Sequence, residues 1–429
     1  MNIAAQTKYP DTRGQLILKI KQNHEKIIHW LESYEQSKEL PLYSSVDIRD
    51  AGFKVAVVDT NIFPAGFNNL CEHGIADSTK FLQAAIIKRV PNCKNIVIVA
   101  EEHTRNTWYL ENIRILQEIV EKAGFQCKIV TFLSVQPAFC ESTRYVELET
   151  ATGNAVKIYC FKRILADYEA GREDFHLIIL NNDLTTGIPD ILKNSKVPIY
   201  PSIHAGWHSR LKSHHFAYTE NLTKEFAGIV DMDPWYFSCL YDVVDSVNVN
   251  DEKDRQRLAA CADQLLEKIK NKYRDHGIKD KPYVFLKADS GTYGMGVKSF
   301  EDAQEILDLN RRGRNNLSKG KSAQTISRIL LQEGVPTIYT IENQVSEVVI
   351  YQIENNLVGG FYRSHSLKSD RDNLNAQGME FKKMCPHQKK YGDCGVHHDV
   401  NVFDIYRILA RIAGIAACRE IINLEANQS

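Results

Sequence analysis

Residues 282–299, PYVFLKADSGTYGMGVKS, decide how the second half of the chain is read. Pro282 to Lys287 is a clean strand pattern that breaks at once into turn-forming residues. Gly291, Gly294 and Gly296 place three glycines in six residues, so the backbone can turn tightly there. Consecutive amide N–H groups from Ser290 through Gly291, Thr292, Tyr293, Gly294 and Gly296 can then converge on an anion such as phosphate. Lys287, at the strand end, supplies a point charge to the same anion. The segment is not a Walker A loop, because Val297 separates Gly296 from Lys298 and Ser299. Its spacing is GxxGxG and not GxGxxG. The bland reading of such a segment is a glycine-rich hairpin.

The residues downstream give the loop its context. Some forty residues on, ILLQEGV (329–335) is a strand ending in Gln332 and Glu333. A further strand carries Glu347, a turn falls at Asn355 and Asn356, and residues 357–363 end in Arg363. Arg371 and Asn375 then lie in a polar loop. This half resembles the ATP-grasp fold. The resemblance implies adenine at a hinge near Gln332 and a ribose carboxylate at Glu333. Arg363 and Arg371 are expected to clamp a transferring phosphoryl group, with Glu347 and Asn375 as hard oxygen ligands for Mg²⁺.

Upstream the pattern differs. Leu16, Ile17, Ile20, Ile27, Ile28 and Leu31 recur at near-helical spacing, predicting one helix over 14–37. Short apolar runs at 54–58, 95–100, 127–132, 155–160, 177–180 and 197–200 then read as strands, with helical patterns at 79–89 and 107–123 between some of them. Alternation of this kind predicts an α/β fold with a doubly wound, mostly parallel sheet. Ligands bind such sheets beyond the carboxyl ends of the strands. Four strand ends feed polar residues to that rim, among them Asp59, Asn61, Asn68, Arg105, Asn182, Asp183, Arg210 and Lys212. Any single loop of this type can be mere turn and cap chemistry. Four in succession point to a small, polar, charged ligand. Residues 251–275 form a charged amphipathic helix, 311–321 is expected to be a basic solvated loop, and 402–422 is a closing helix. Two units are expected, 1–220 and 221–429, the second an ATP-grasp-like α+β unit.

Taken together, the chain is similar to the proteobacterial glutamate–cysteine ligase family. The likeness rests on SVDIRDAGFKVAVVDTNIFPAGFNNL (45–70), EEHTRNTWYLENI (101–113), LNNDLTTGIPDIL (180–192) and AGWHSRLKSHHF (205–216). KADSGTYGMGV (287–297), GGFYR (359–363) and DNLNAQGMEF (372–381) continue it, so it spans roughly 45–425. It implies a ligase that uses ATP and Mg²⁺ to make γ-glutamylcysteine from L-glutamate and L-cysteine through an acyl phosphate, the first step to glutathione. Asp59 or Asp183 would then hold the glutamate ammonium, and Arg105, Arg210 or Lys212 the α-carboxylates. One departure is plain: the Glu-x-Asn metal pair that many ATP-grasp enzymes carry on a late strand is not evident. Another ATP-grasp carboxylate–amine ligase (glutathione-synthetase-like or D-Ala–D-Ala-like), or a non-catalytic nucleotide- or amino-acid-binding module, are the alternatives.

Composition agrees with an enzyme of small molecules. Among 429 residues, 43% are hydrophobic and 25% charged, the balance of a globular chain. Fifty-three Lys and Arg against 54 Asp and Glu leave a net charge of -1, which argues against nucleic-acid or anionic-membrane partners. No secretory h-region opens the sequence, so a cytoplasmic enzyme is expected; self-association into a homo-oligomer is left open. Ten cysteines lie at irregular spacings with no CxxC, as reduced core cysteines do. Cys385, His387, Cys394 and His397 suggest a Cys₂His₂ zinc site, but their spacing fits no standard finger, and a solvated loop is the competing reading.

Overall fold

The computed structural model describes all residues except 1–11, 36–39, 103–104, 133–144, 291–296, 319–326, 386, 388–393, 398–399 and 428–429. Of the expected phosphate nest, Gly291, Thr292, Tyr293, Gly294 and Gly296 therefore lie outside the described residues. Two antiparallel strands come first, β1 (Tyr43–Asp50) and β2 (Val55–Asn61). Six more, β3 (Asn95–Ala100), β4 (Gln126–Thr131), β5 (Tyr145–Glu149), β6 (Ala155–Cys160), β7 (Leu177–Asn181) and β8 (Ile199–Tyr200), build a second sheet in the order β5-β6-β4-β3-β7-β8. Its pairings are parallel except for β5, which runs antiparallel to β6.

That sheet is apolar on both faces, which explains why its central strands read as unbroken hydrophobic runs. Ile96, Ile98, Leu177 and Ile179 face a core shared with Leu110, Ile113 and Leu116 of the helix Thr107–Lys122. The intervening Val97, Val99, Ile178 and Leu180 face a second core with Phe161, Ile164 and, from the C-terminal helix, Ala417 and Ile421. Each fully buried Ile, Leu or Val contributes roughly 1.5–3 kcal/mol by leaving water.

A third sheet is wholly antiparallel. Strands β9 (Tyr241–Val244), β10 (Val284–Ala288), β11 (Lys298–Phe300) and β12 (Ile329–Glu333) lie in the order β11-β10-β12-β9. The helix Glu252–Asp275 covers it, burying Leu258, Ala262, Leu265, Leu266 and Ile269 along one face. Asp251 caps that helix by accepting from the Asp254 amide at 3.1 Å. Finally β13 (Tyr339–Ile341), β14 (Gln344–Ile353), β15 (Asn356–His365), β16 (Glu380–Cys385) and β17 (Val396–His397) return to the first sheet. Its order is β17-β16-β15-β14-β1-β2, with β13 on the end of β14. The C-terminal helix Val400–Ala426 packs on one face of this sheet, against Val46, Ile48, Val348 and Ile350.

Several expectations are corrected by this arrangement. The strand expected at 54–58 is not part of the parallel sheet; it is β2, antiparallel to β1. A boundary at 220/221 cuts through the first sheet, because β1 pairs β14 across six registered residues from Tyr43–Ile353 to Ile48–Val348. The opening helix is two, Thr12–Gln22 and His24–Glu35. The basic stretch contains a helix, Arg311–Ser318, where a loop is expected. Cys160 is disulfide-bonded and not a reduced core thiol. Strands β1, β5 and β9 are not among those expected from the apolar runs.

Candidate functional site

The first and third sheets face each other across a cleft of about 150 Å³. Period-two alternation aims the charged residues of three strands into it. On β1, Val46 and Ile48 enter the core while Asp47 and Arg49 line the cleft. On β14 and β15, Glu347 and Arg363 are direct cross-strand partners and point the same way. Between Asp47 and Ile48 the β1–β2 register shifts, so that Asp47 opposes Asp59 while Ile48 opposes Val57. Val58 is the extra residue of this bulge, and its carbonyl is released from the ladder. Lys287 Nζ and Gln332 Nε2 each donate to Val58 O at 3.4 Å.

One lysine pairs with a carboxylate at the heart of the cleft, and a second acts on it through its charge. Lys212 Nζ donates to both oxygens of Asp59, at 2.5 and 2.6 Å. Burial opposes the charge on Asp59, but Lys212 and Lys287 outweigh it and hold the carboxyl well below the usual range. Burial pushes Lys287 down to about 8, against the opposing pull of Asp59. Lys212 is delivered by Asp289, two residues after Lys287. The Asp289 carboxylate accepts from the Ser213 amide at 2.7 Å and the Ser213 hydroxyl at 2.6 Å, at the start of the helix Lys212–Val230. Arg328 Nε also donates to it, at 2.6 Å.

On the opposite wall a charge ladder runs across the first sheet. Glu347 accepts from Arg363 at 2.6 Å and lies 2.5 Å from Arg49, so both its oxygens are taken by guanidinium groups. Arg363 also donates to Asp47 at 2.9 Å. Burial would raise the Glu347 carboxyl, yet Arg49 and Arg363 hold it low. Asp47, with burial first and Glu347 and Asp59 beside it, is raised despite Arg363. Of the cleft-lining side chains, Arg49, Lys212, Lys287 and Arg363 are cationic against Asp47, Asp59 and Glu347. Glu333 lines the cleft, but its carboxylate is turned to buried Lys54 at 2.8 Å, to Trp235 Nε1 and to the Leu240 amide.

The sequence-predicted residues divide accordingly. Asp59, Asn61, Lys212, Lys287, Gln332, Glu347, Arg363 and Asn375 line this one cleft. Ser290, just past Asp289, is half-buried. Asn68 lines a neighbouring cleft that shares Val297, Asn373 and Asn375 with the first. Arg105 is exposed. Asn182 and Asp183 are occupied by local turn bonds, from the Leu184 amide at 3.0 Å and the Thr185 hydroxyl at 2.7 Å. Arg210 forms a buried bidentate pair with Glu420, at 2.9 and 2.8 Å, and is not presented to a ligand. Arg371 lies outside the cleft, donating to Lys281 O at 2.5 Å and packing on the Tyr283 ring. Asp47, Arg49 and Asp289 are site residues that sequence reasoning missed. The alternation in SVDIRD (45–50) was the available signal for the first two; none announces Asp289.

Several residues fit a nucleotide. Phe285, Ala288 and Val335 give the cleft an apolar wall, and the Gln332 Oε1 acceptor is buried with no partner among the described residues. A purine amino group is a donor of the kind that this orphan requires. Glu347 does not fit Mg²⁺ as expected, because neither of its carboxylate oxygens is free.

Comparison with known proteins identifies the family. A family model described as GshA, glutamate-cysteine ligase, matches residues 18–421. A crystal structure from Methylobacillus flagellatus KT, provisionally named a gamma-glutamylcysteine synthetase, is 34% identical and covers 99% of each chain, with a TM-score of 0.86. D-alanyl-alanine synthetase A from Vibrio cholerae (10% identity, 75% of this chain and 81% of that one) has a TM-score of only 0.32. A glutathione synthetase-like effector from Globodera pallida (11% identity, 82% and 79%) has one of 0.34. No curated protein sequence matches. The chain belongs to the glutamate-cysteine ligase family and is an ATP-dependent ligase.

Proposed function

We propose that the cleft joins the γ-carboxylate of L-glutamate to the amine of L-cysteine through an acyl phosphate, yielding γ-glutamylcysteine, ADP and phosphate. The observation that carries this reading is the set of four buried or half-buried cations, Arg49, Lys212, Lys287 and Arg363, interleaved with Asp47, Asp59 and Glu347 in one enclosed cleft. A triphosphate and an amino acid together present this mixture of anions and one cation. A carboxylate is a poor acyl donor at neutral pH, so a carboxylate oxygen must first take the γ-phosphoryl group, with ADP leaving. The cysteine amine, having given up its proton, then attacks the acyl carbon and phosphate departs.

Catalysis of both steps rests on positioning and on charge stabilisation. Lys287 and Lys212 are the groups assigned to the transferring phosphoryl oxygens, and Asp59 keeps the two ammonium groups close together. Arg363 is held in place by Asp47 and Glu347, which leaves its guanidinium pre-oriented and not free to swing. Gln332 Oε1 and the apolar wall take the base. Asp47, whose pair with Arg363 engages one carboxylate oxygen, is the carboxylate assigned to a substrate ammonium. The neighbouring cleft that holds Asn68, Asn373 and Asn375 is assigned to an amino-acid substrate. The residues present do not fit a metal at Glu347, whose two oxygens are held by Arg49 and Arg363.

The test is coupled phosphate release. Purified enzyme with ATP should release phosphate only when glutamate and cysteine are both present, with γ-glutamylcysteine found by mass spectrometry. Lys287→Ala should lower that rate by roughly 10²–10³-fold while the protein stays folded. Phosphate release with glutamate and a different amine, but none with cysteine, would overturn the substrate pair.

A further inference from the structure

One cluster of side chains lies outside the ligase cleft. Cys71, His73, Cys385 and Cys394 bring three thiol sulfurs and an imidazole nitrogen within 4.8 Å of one another. His73 Nδ1 stands 3.1 Å from Cys394 Sγ and 3.6 Å from Cys385 Sγ. Cys71 and Cys385 are buried, and His73 and Cys394 are half-buried. Only the fold brings together residues this distant in sequence. Spacing along the chain groups Cys385 and Cys394 with His387 and His397. Instead His387 Nε2 pairs with Asp77 at 2.8 Å, and the start of the helix Glu72–Arg89 supplies the other two ligands.

The backbone is shaped for this approach. A Cβ on Gly74 would stand 2.7 Å from the Val358 carbonyl oxygen, so only glycine lets the helix start press onto β15. A Cβ on Gly395 would stand 2.7 Å from the Lys383 carbonyl oxygen, so only glycine lets Cys394 close onto β16. Cys71 is the N-cap of the helix, and its sulfur accepts from the Gly74 amide at 3.4 Å. Tetrahedral zinc, with Zn–S near 2.3 Å and Zn–N near 2.0–2.1 Å, sets its ligand atoms about 3.5–3.8 Å apart. Side-chain rotations of about an ångström close the cluster onto such an ion.

We propose that Cys71, His73, Cys385 and Cys394 form a structural Cys₃His zinc site that fastens the first turn of the helix Glu72–Arg89 to the β16–β17 edge of the first sheet. Four protein ligands leave no open position, which makes the site structural and not catalytic. Soft thiolates select zinc over magnesium, so the site is chemically separate from the oxygen-rich cleft. The Asp77–His387 pair borders it, with the His387 ring 4.9 Å from that of His73.

The experiment uses the full chain, expressed in zinc-supplemented medium and purified without chelator. Elemental analysis should find about one zinc per chain, held through gel filtration. After chelator stripping, cobalt titration should give thiolate-to-cobalt charge transfer and tetrahedral visible bands that saturate near one equivalent, are bleached by zinc and are untouched by magnesium. Cys394→Ser should lower zinc content at least about tenfold, whereas His387→Ala should keep it. Wild-type protein with neither zinc nor cobalt bands overturns the site, as does full zinc occupancy in Cys394→Ser. A disulfide among the three cysteines in freshly purified protein overturns it as well. The cobalt spectrum reads the ligands in unaltered protein, so the test stands even where a variant fails to fold.

Discussion

Lys287 shows how one residue's environment sets its use. Its ammonium is buried, which disfavours the charge and pushes it down to about 8, while Asp59 partly restores it. Below that pH the group is charged and can meet a phosphate; above it the charge is lost. The value of kcat/KM for ATP at saturating amino acids should therefore fall about tenfold per pH unit above about 8. Lys287→Arg keeps its charge throughout that range and should remove this limb, leaving only the titration of the cysteine substrate. An unchanged limb in the arginine variant would detach Lys287 from nucleotide binding. Arg210 teaches the opposite lesson. In the sequence it looks like a substrate clamp, but its fork is closed on Glu420.

At the scale of elements, that Arg210–Glu420 pair joins the loop before the helix Lys212–Val230 to the C-terminal helix. Burial would raise the Glu420 carboxyl, but Arg210 and then His215 hold it down to about 2. A carboxyl whose folded value lies below its unfolded one stabilises the protein above the unfolded value. That contribution is lost as pH falls through the folded one. Glu420→Gln should thus cost about 3 kcal/mol at neutral pH. In urea melts at about pH 3 the gap from wild type should shrink. A gap that stays constant with pH would mean that the pair is held by packing alone. The bulge at Val58 works at the same scale: one extra residue in β2 frees a carbonyl for Lys287 and Gln332 and places Asp59 opposite Asp47.

The whole molecule is tied together by its first sheet. Strands β1 and β2 precede the parallel sheet in the chain, yet they complete a sheet otherwise built from β13 to β17. The ligase cleft lies where this sheet meets the third one, so neither half of the chain contains it. Fragments 1–220 and 221–429 made separately should each lack a cooperative melt and native near-UV dichroism. Co-expression should restore both together with ATP-dependent phosphate release. An independently folded 1–220 fragment would show that β14 is dispensable for β1. No described helix is long and apolar enough to cross a membrane.

Elements whose physics is local are legible in the chain alone. Unbroken apolar runs mark the central parallel strands, because burial on both faces leaves no polar alternation to misread. The strand before Lys287 and the 3.6-residue stripe of the helix Glu252–Asp275 can be read for the same reason. Chemistry-bearing residue types mark part of the cleft wall: Asp59, Lys212, Lys287, Gln332, Glu347 and Arg363. Which polar residues keep free valences is settled only by packing in three dimensions. Asn182, Asp183 and Arg210 are the same types as those in the cleft, but turn bonds and a buried carboxylate consume them. Packing also sets the pairing of β1 with β14 and the meeting of Cys71 and His73 with Cys385 and Cys394. Contacts between residues hundreds of positions apart leave no periodicity in a single chain, because they depend on how whole sheets and helices pack.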